Sequence, residues 1–150
     1  MRVLLSIKPK YVDKILFGEK KYEFRKIIFR DEEVREMVIY SSSPMKKIVG
    51  ICAIGSVIED RPLILWEMFK EQSGLCKEEF FTYFHGKERG YAIEIEEIKK
   101  FENPVDPWEF DENFIPPQSF HYISASFYSK ICEALLEGGI FLEFRTLNSN

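Results

Sequence analysis

Apolar and polar positions change period several times along this 150-residue chain, and each change marks an element. Val3-Leu4-Leu5 is a continuous apolar run within Arg2 to Ile7, which predicts a strand covered on both faces. Pro9 suits a first helical turn, and Val12, Ile15 and Leu16 follow at helical spacing until Gly18 stops them. From Lys21 the period becomes two. Lys21, Glu23 and Arg25 share one face of a strand, and Tyr22 and Phe24 share the other.

Further along, Arg30 to Glu36 is a charged connection and Met37 to Tyr40 a strand, ending in the loop Ser41-Ser42-Ser43-Pro44. Lys47 to Ile58 is a β-branched strand with Gly50 and Gly55 at bends or bulges. Pro62 opens a helix to about Lys70, with Leu63, Trp66 and Met68 or Phe69 expected inward. Ser73-Gly74 breaks it before a second short helix, Lys77 to Phe84. Gly90 to Ile98 alternates as a strand, and Phe101 to Phe120, with four prolines, is expected to be irregular but anchored by Trp108, Phe110 and Phe114. A last helix, about 124 to 139, is capped by Ser124 or Ser126, carries Phe127, Ile131 and Leu135 on one stripe, and stops at Gly138-Gly139. Phe141 to Phe144 is a candidate final strand. This order predicts one α+β domain over 1–150: a mixed, mostly antiparallel sheet closing into a small barrel, with short helices at its ends.

Composition narrows the class. The chain has 21 Lys+Arg against 25 Asp+Glu, a net charge of −4, yet residues 1–50 hold 12 of the basic residues and only 7 acidic ones. The first third can therefore present a positive face to an anion. Cys52, Cys76 and Cys132 are odd in number and widely spaced, so they predict free thiols, in the core or half-buried. With two histidines they make no zinc pattern, and neither metal nor cofactor is expected. No signal-like or membrane-spanning run is present, which predicts a cytoplasmic protein without membrane contact.

The chemistry concentrates at Gly18-Glu19-Lys20-Lys21-Tyr22-Glu23-Phe24-Arg25. A lysine in a cleft can pair with phosphate or, when buried, serve as a base. Arg25 offers a planar fork, and Glu23 two residues away can hold it. Gly18, Lys20, Glu23 and Arg25 match the G-x-K-x-x-E-x-R signature, so the chain resembles the ASCH domain of the PUA-like β-barrel superfamily over about 2–122, with the final helix appended. The resemblance implies a cleft beside the barrel that takes RNA or a nucleotide, and in some members hydrolysis of acetylated cytidine or of RNA. In the amidohydrolase members a lysine works with a threonine and a later glutamate. Lys20 stands for the lysine, Glu23 occupies the threonine position, and Glu78 or Glu79 falls near the later carboxylate. The missing threonine favours binding over amide hydrolysis.

Other candidates surround this cleft. Lys8, at a strand-to-helix junction, can face an anion. Ser41 begins a hydroxyl-rich loop with Lys46 and Lys47 nearby. Gln118 can read a base edge, Ser119 follows it, and Phe120 or Tyr122 can stack on a base. A similar Pro-Gln-Ser-Phe segment in ASCH relatives implies that this stretch lines the pocket. Trp66 is a core residue or a base platform. Three readings stand open: an RNA- or nucleotide-binding module; a metal-independent amidohydrolase or ribonuclease using Lys20; and an interaction module whose Phe110 to Tyr122 segment meets a protein partner.

Overall fold

The apolar runs become strands buried on two faces. A computed structural model of the protein describes residues 1–137 and 142–146. Along β1 (Arg2–Ile7), Val3, Leu5 and Ile7 enter one core and Leu4 enters another. β3 (Glu36–Ser41) divides the same way, with Met37 and Ile39 on one side and Val38 and Tyr40 on the other. Side chains alternate across a strand, so a run apolar at every position needs cover on both sides. α1 (Pro9–Leu16) covers the first face with Val12, Ile15 and Leu16. α4 (Ala125–Glu137) covers the second with Ile131 and Leu135.

The sheet runs β2 (Tyr22–Arg25), β5 (Gly90–Val105), β4 (Lys47–Asp60), β3, β1, β6 (Phe120–Ile123), and β7 (Leu142–Thr146) also pairs with β5. Among the described residues only β1 and β3 pair in parallel; the other pairs are antiparallel. The mixed, mostly antiparallel sheet with short helices is as the sequence predicts. Its closure is not. Among the described residues β2 and β6 are the two ends of a curled sheet and share no ladder, so the barrel expectation gives way to an open curl. A third cluster packs α2 (Pro62–Phe69) and α3 (Lys77–Tyr83) against the outer face of β2, through Phe24, Leu65, Trp66, Phe69 and Phe80.

Other corrections are local. β4 changes register beside Gly50 and near Gly55, as expected of bulges. Trp66 and Phe69 face inward with Leu65, which puts Leu63 and Met68 on the solvent side of the helix, at 59% and 56% exposure. β5 runs seven residues past Ile98, because Phe101 and Val105 have a core to enter. Residues 101–104 have no partner on β4, so Pro104 interrupts no pair there. Cys52 is buried and Cys132 half-buried, whereas Cys76 is exposed because it caps α3. Phe114 is buried between Tyr40, Trp108 and Phe127, and Trp108 Nε1 donates to the Phe114 carbonyl at 2.9 Å. The expected helix stop at Gly138-Gly139 and the start of the last strand at Phe141 lie outside the described residues. No described helix is long and apolar enough to cross a membrane.

Candidate functional site

The turn after α1 delivers Lys20. Gly18 takes φ of +83°, a left-handed conformation that glycine adopts without cost, and the amides of Glu19 and Lys20 both return to the Lys14 carbonyl. Lys20 is then folded inward, with 1% of its surface exposed. Its Nζ donates to the Ser73 carbonyl at 2.6 Å, lies 3.6 Å from Glu23 Oε1, and sits 4.9 Å from the centre of the Phe24 ring. Gly74, at φ +68°, lets the neighbouring turn press against the lysine stem; a Cβ there would come within 2.9 Å of Lys20 Cβ.

β2 carries the other two charges. Phe24 faces the helical cluster, which turns Glu23 and Arg25 to the opposite side of the strand. Both are buried. Arg25 Nε and Nη2 donate to Glu23 Oε2 at 3.1 and 2.7 Å. Its Nη1 also donates to the Ser119 carbonyl at 3.3 Å and its Nη2 to the Ser6 carbonyl at 3.1 Å. Ser6 lies on β1 and Ser119 immediately precedes β6. One guanidinium therefore spans the gap between the two ends of the curled sheet. Side-chain hydrogen bonds do here what a ladder would do in a closed barrel.

The cluster holds two cations and one carboxylate. Burial pushes the Lys20 ammonium below its ordinary 10.5, Glu23 opposes that shift, and Arg25 and Lys14 add to it. Every buried side-chain nitrogen and oxygen among the described residues has a hydrogen-bond partner. The charges are satisfied, as buried charges must be.

A second polar chain adjoins the first. The Tyr11 ring lies 5.8 Å from Lys20 Nζ. Its hydroxyl donates to Glu79 Oε2 at 2.5 Å, and Lys10 Nζ donates to the same oxygen at 2.8 Å. Glu79 Oε1 accepts the Cys76 amide at 3.0 Å, completing a capping box on α3. Hydrogen bonds from Lys10, then Tyr11, then Cys76 hold the Glu79 carboxyl well below the usual carboxylate range. Burial, reinforced by Glu79, pushes the Tyr11 phenol to about 12. Glu78 points to solvent.

The remaining candidates divide. Lys8 is exposed at the cap of α1, two residues after Ser6. Ser41 is buried at the end of β3, opposite Ile7. Gln118 is exposed, whereas Ser119 contributes its carbonyl to Arg25. Phe120 packs edge-on to Phe29 at 5.8 Å. The Tyr122 hydroxyl accepts the amides of Arg30 and Asp31 at 3.0 and 3.1 Å. Lys21 uses its backbone to bind Gln72 and Ile95. Tyr11, Ser6, Ser73 and Gly74 have no motif of their own; Tyr11 was visible only as a polar-ended aromatic beside the apolar stripe of α1. Among the described residues a cleft of about 800 Å³ opens beside the β2–β3 connection and one of about 620 Å³ between α2 and α3, and neither of these is lined by Lys20, Glu23 or Arg25.

Residues 2–116 match the family described as "Domain of unknown function (DUF365)". An ASCH domain-containing ribonuclease of Zymomonas mobilis is 25% identical over 126 residues, 80% of this chain and 82% of that one. The crystal structure of ASCH from Zymomonas mobilis superposes with a TM-score of 0.82 at 23% identity, covering 88% of this chain and 94% of that one. A large ribosomal subunit protein uL22 of Ureaplasma parvum is 29% identical over 123 residues; these are 81% of this chain but only 39% of that longer protein. The chain belongs to the DUF365 family, and its fold is that of an ASCH domain.

Proposed function

We propose that this protein binds RNA, with a nucleotide phosphate docking at the rim of the Lys20–Glu23–Arg25 cluster. The observation that carries this reading is the cluster's charge. Two buried cations share one carboxylate, so the site holds one positive charge in excess when Lys20 is protonated. In a partly desolvated setting that excess attracts an anion more strongly than the same charge in water. Lys26 directly follows Arg25, Lys8 lies two residues after Ser6, whose carbonyl binds Arg25, and both lysines are exposed. Gln118 stands beside Ser119, where a base edge could be read. The ribonuclease name of the Zymomonas relative agrees with an RNA ligand. The test is anisotropy of labelled single-stranded RNA at several salt concentrations. Lys8→Ala with Lys26→Ala should weaken binding and reduce the salt slope by about 1.4, the share of two phosphate contacts on a single strand. Wild-type protein that binds no RNA at low salt would sink the reading.

A second reading is RNA cleavage without a metal. It is favoured by the lowered pKa of Lys20, which brings a neutral amine closer to working pH. Incubating labelled RNA with and without chelator tests it; turnover that persists in chelator and is lost in Lys20→Met supports an acid–base lysine, and intact RNA excludes it.

A further inference from the structure

We propose that the cleft between the start of α2 and the end of α3 is a second subsite, which holds the flanking nucleotides of a single-stranded RNA. This rests on the RNA reading above and specifies its ligand as an extended strand rather than a free nucleoside.

The cleft encloses about 620 Å³. Arg61 and Lys87 supply its cationic side against the single acid Glu88, and Leu63, Phe81 and Phe84 its apolar wall. Among the described residues the side chains of Arg61 and Lys87 form no hydrogen bond or ion pair, whereas the neighbouring Arg89 is held by Glu59 at 2.8 Å. Two uncommitted cations over an aromatic wall match what a single strand presents, phosphates on one side and bases on the other. The larger cleft has the opposite character. Asp31, Glu32, Glu59, Glu94 and Glu96 line it against Arg30 and Arg35, and it would repel a phosphodiester.

Continuity links the smaller cleft to the buried cluster. Phe84 lines the cleft and meets Phe24 edge-on at 6.4 Å, and the centre of the same Phe24 ring lies 4.9 Å from Lys20 Nζ of the cluster. The adjacent Tyr83 carries Lys26 Nζ 4.6 Å above its ring, and Arg25 and Glu23 are close enough to influence its phenol. The end of α3 is thus the shared wall of both places, and a strand leaving the cluster past Lys26 and Tyr83 arrives at Lys87 and Arg61.

The experiment compares cytidine 5′-monophosphate with a short oligocytidylate by competition against labelled RNA. The oligomer should bind at least about tenfold tighter, as expected when additional phosphates and bases are engaged. Arg61→Ala with Lys87→Ala should collapse that ratio toward one without changing the melting temperature, while Lys130→Ala, on α4, should leave the ratio intact. An oligomer no tighter than the mononucleotide, or a ratio unchanged in the double variant, overturns the second subsite and leaves the docking of a phosphate at the cluster standing. Binding of neither ligand overturns both.

Discussion

Replacing Glu23 with Gln keeps the shape of the side chain and removes the only carboxylate of the cluster. Arg25 loses the charge behind its contacts at 3.1 and 2.7 Å, and Lys20 loses its counter-ion at 3.6 Å. Both Glu23 and Arg25 have 9% side-chain exposure, so water replaces little of what is lost. Breaking a buried ion pair from one side costs about 3–5 kcal/mol. The glutamine oxygen still accepts one hydrogen bond, which places the expected loss near the lower end, about 3 kcal/mol. For a domain of this size that corresponds to a fall in Tm of roughly 6–12 °C. The variant has a second signature. Lys20 already titrates below 10.5 in the folded state, so the unfolded chain binds a proton that the fold surrenders, and stability rises with pH between the folded value and 10.5. Removing Glu23 lowers the folded value further, and the rise should begin at lower pH. Urea unfolding followed by circular dichroism across neutral to mildly alkaline pH reads both effects. A loss under about 1 kcal/mol, with the pH dependence of the wild type, would refute the description of a charged buried cluster.

Two further outcomes follow from the same geometry. Tyr122→Phe removes the acceptor for the Arg30 and Asp31 amides at a half-exposed site, and should cost about 0.5–1.5 kcal/mol while accelerating hydrogen exchange at those two amides; unchanged exchange would argue against the anchoring role. Glu79 has a depressed folded pKa, so its stabilisation is present above the ordinary 4.5 and lost as pH falls below it. Glu79→Gln should therefore flatten the acid side of the stability profile, and an acid limb as steep as that of the wild type would contradict this.

The strands and helices were legible because their period was clean. Val3 to Leu5 read as a doubly covered strand and Met37 to Tyr40 as a strand, and both are covered on two faces. Gly18 read as a helix stop, and its positive φ agrees. The extension of β5 to Val105 was hidden by Pro104, whose lack of a β4 partner depends on a register shift in another strand. Inward and outward faces of α2 could not be fixed in an almost wholly apolar segment, where Leu63 and Met68 look as buriable as Leu65. The charged motif was visible, but its burial was not. Alternation along β2 grouped Glu23 and Arg25 on one face without saying what covers it, whereas the curl of the sheet carries them to within reach of Ser6 and Ser119, 19 and 94 residues from Arg25 in the chain. Backbone carbonyls leave no trace in a sequence, so the clasp across the open seam could only be found in three dimensions.

The central claim is that the Lys20–Glu23–Arg25 cluster is where RNA phosphate docks, and nuclear magnetic resonance tests it most directly. Titration of isotopically labelled protein with a short oligocytidylate should shift the Arg25 Nε–H resonance and the backbone amides of Lys26 and Ser119 together, along one saturating curve. Saturable shifts confined to other surfaces, with these three signals unmoved, would contradict it.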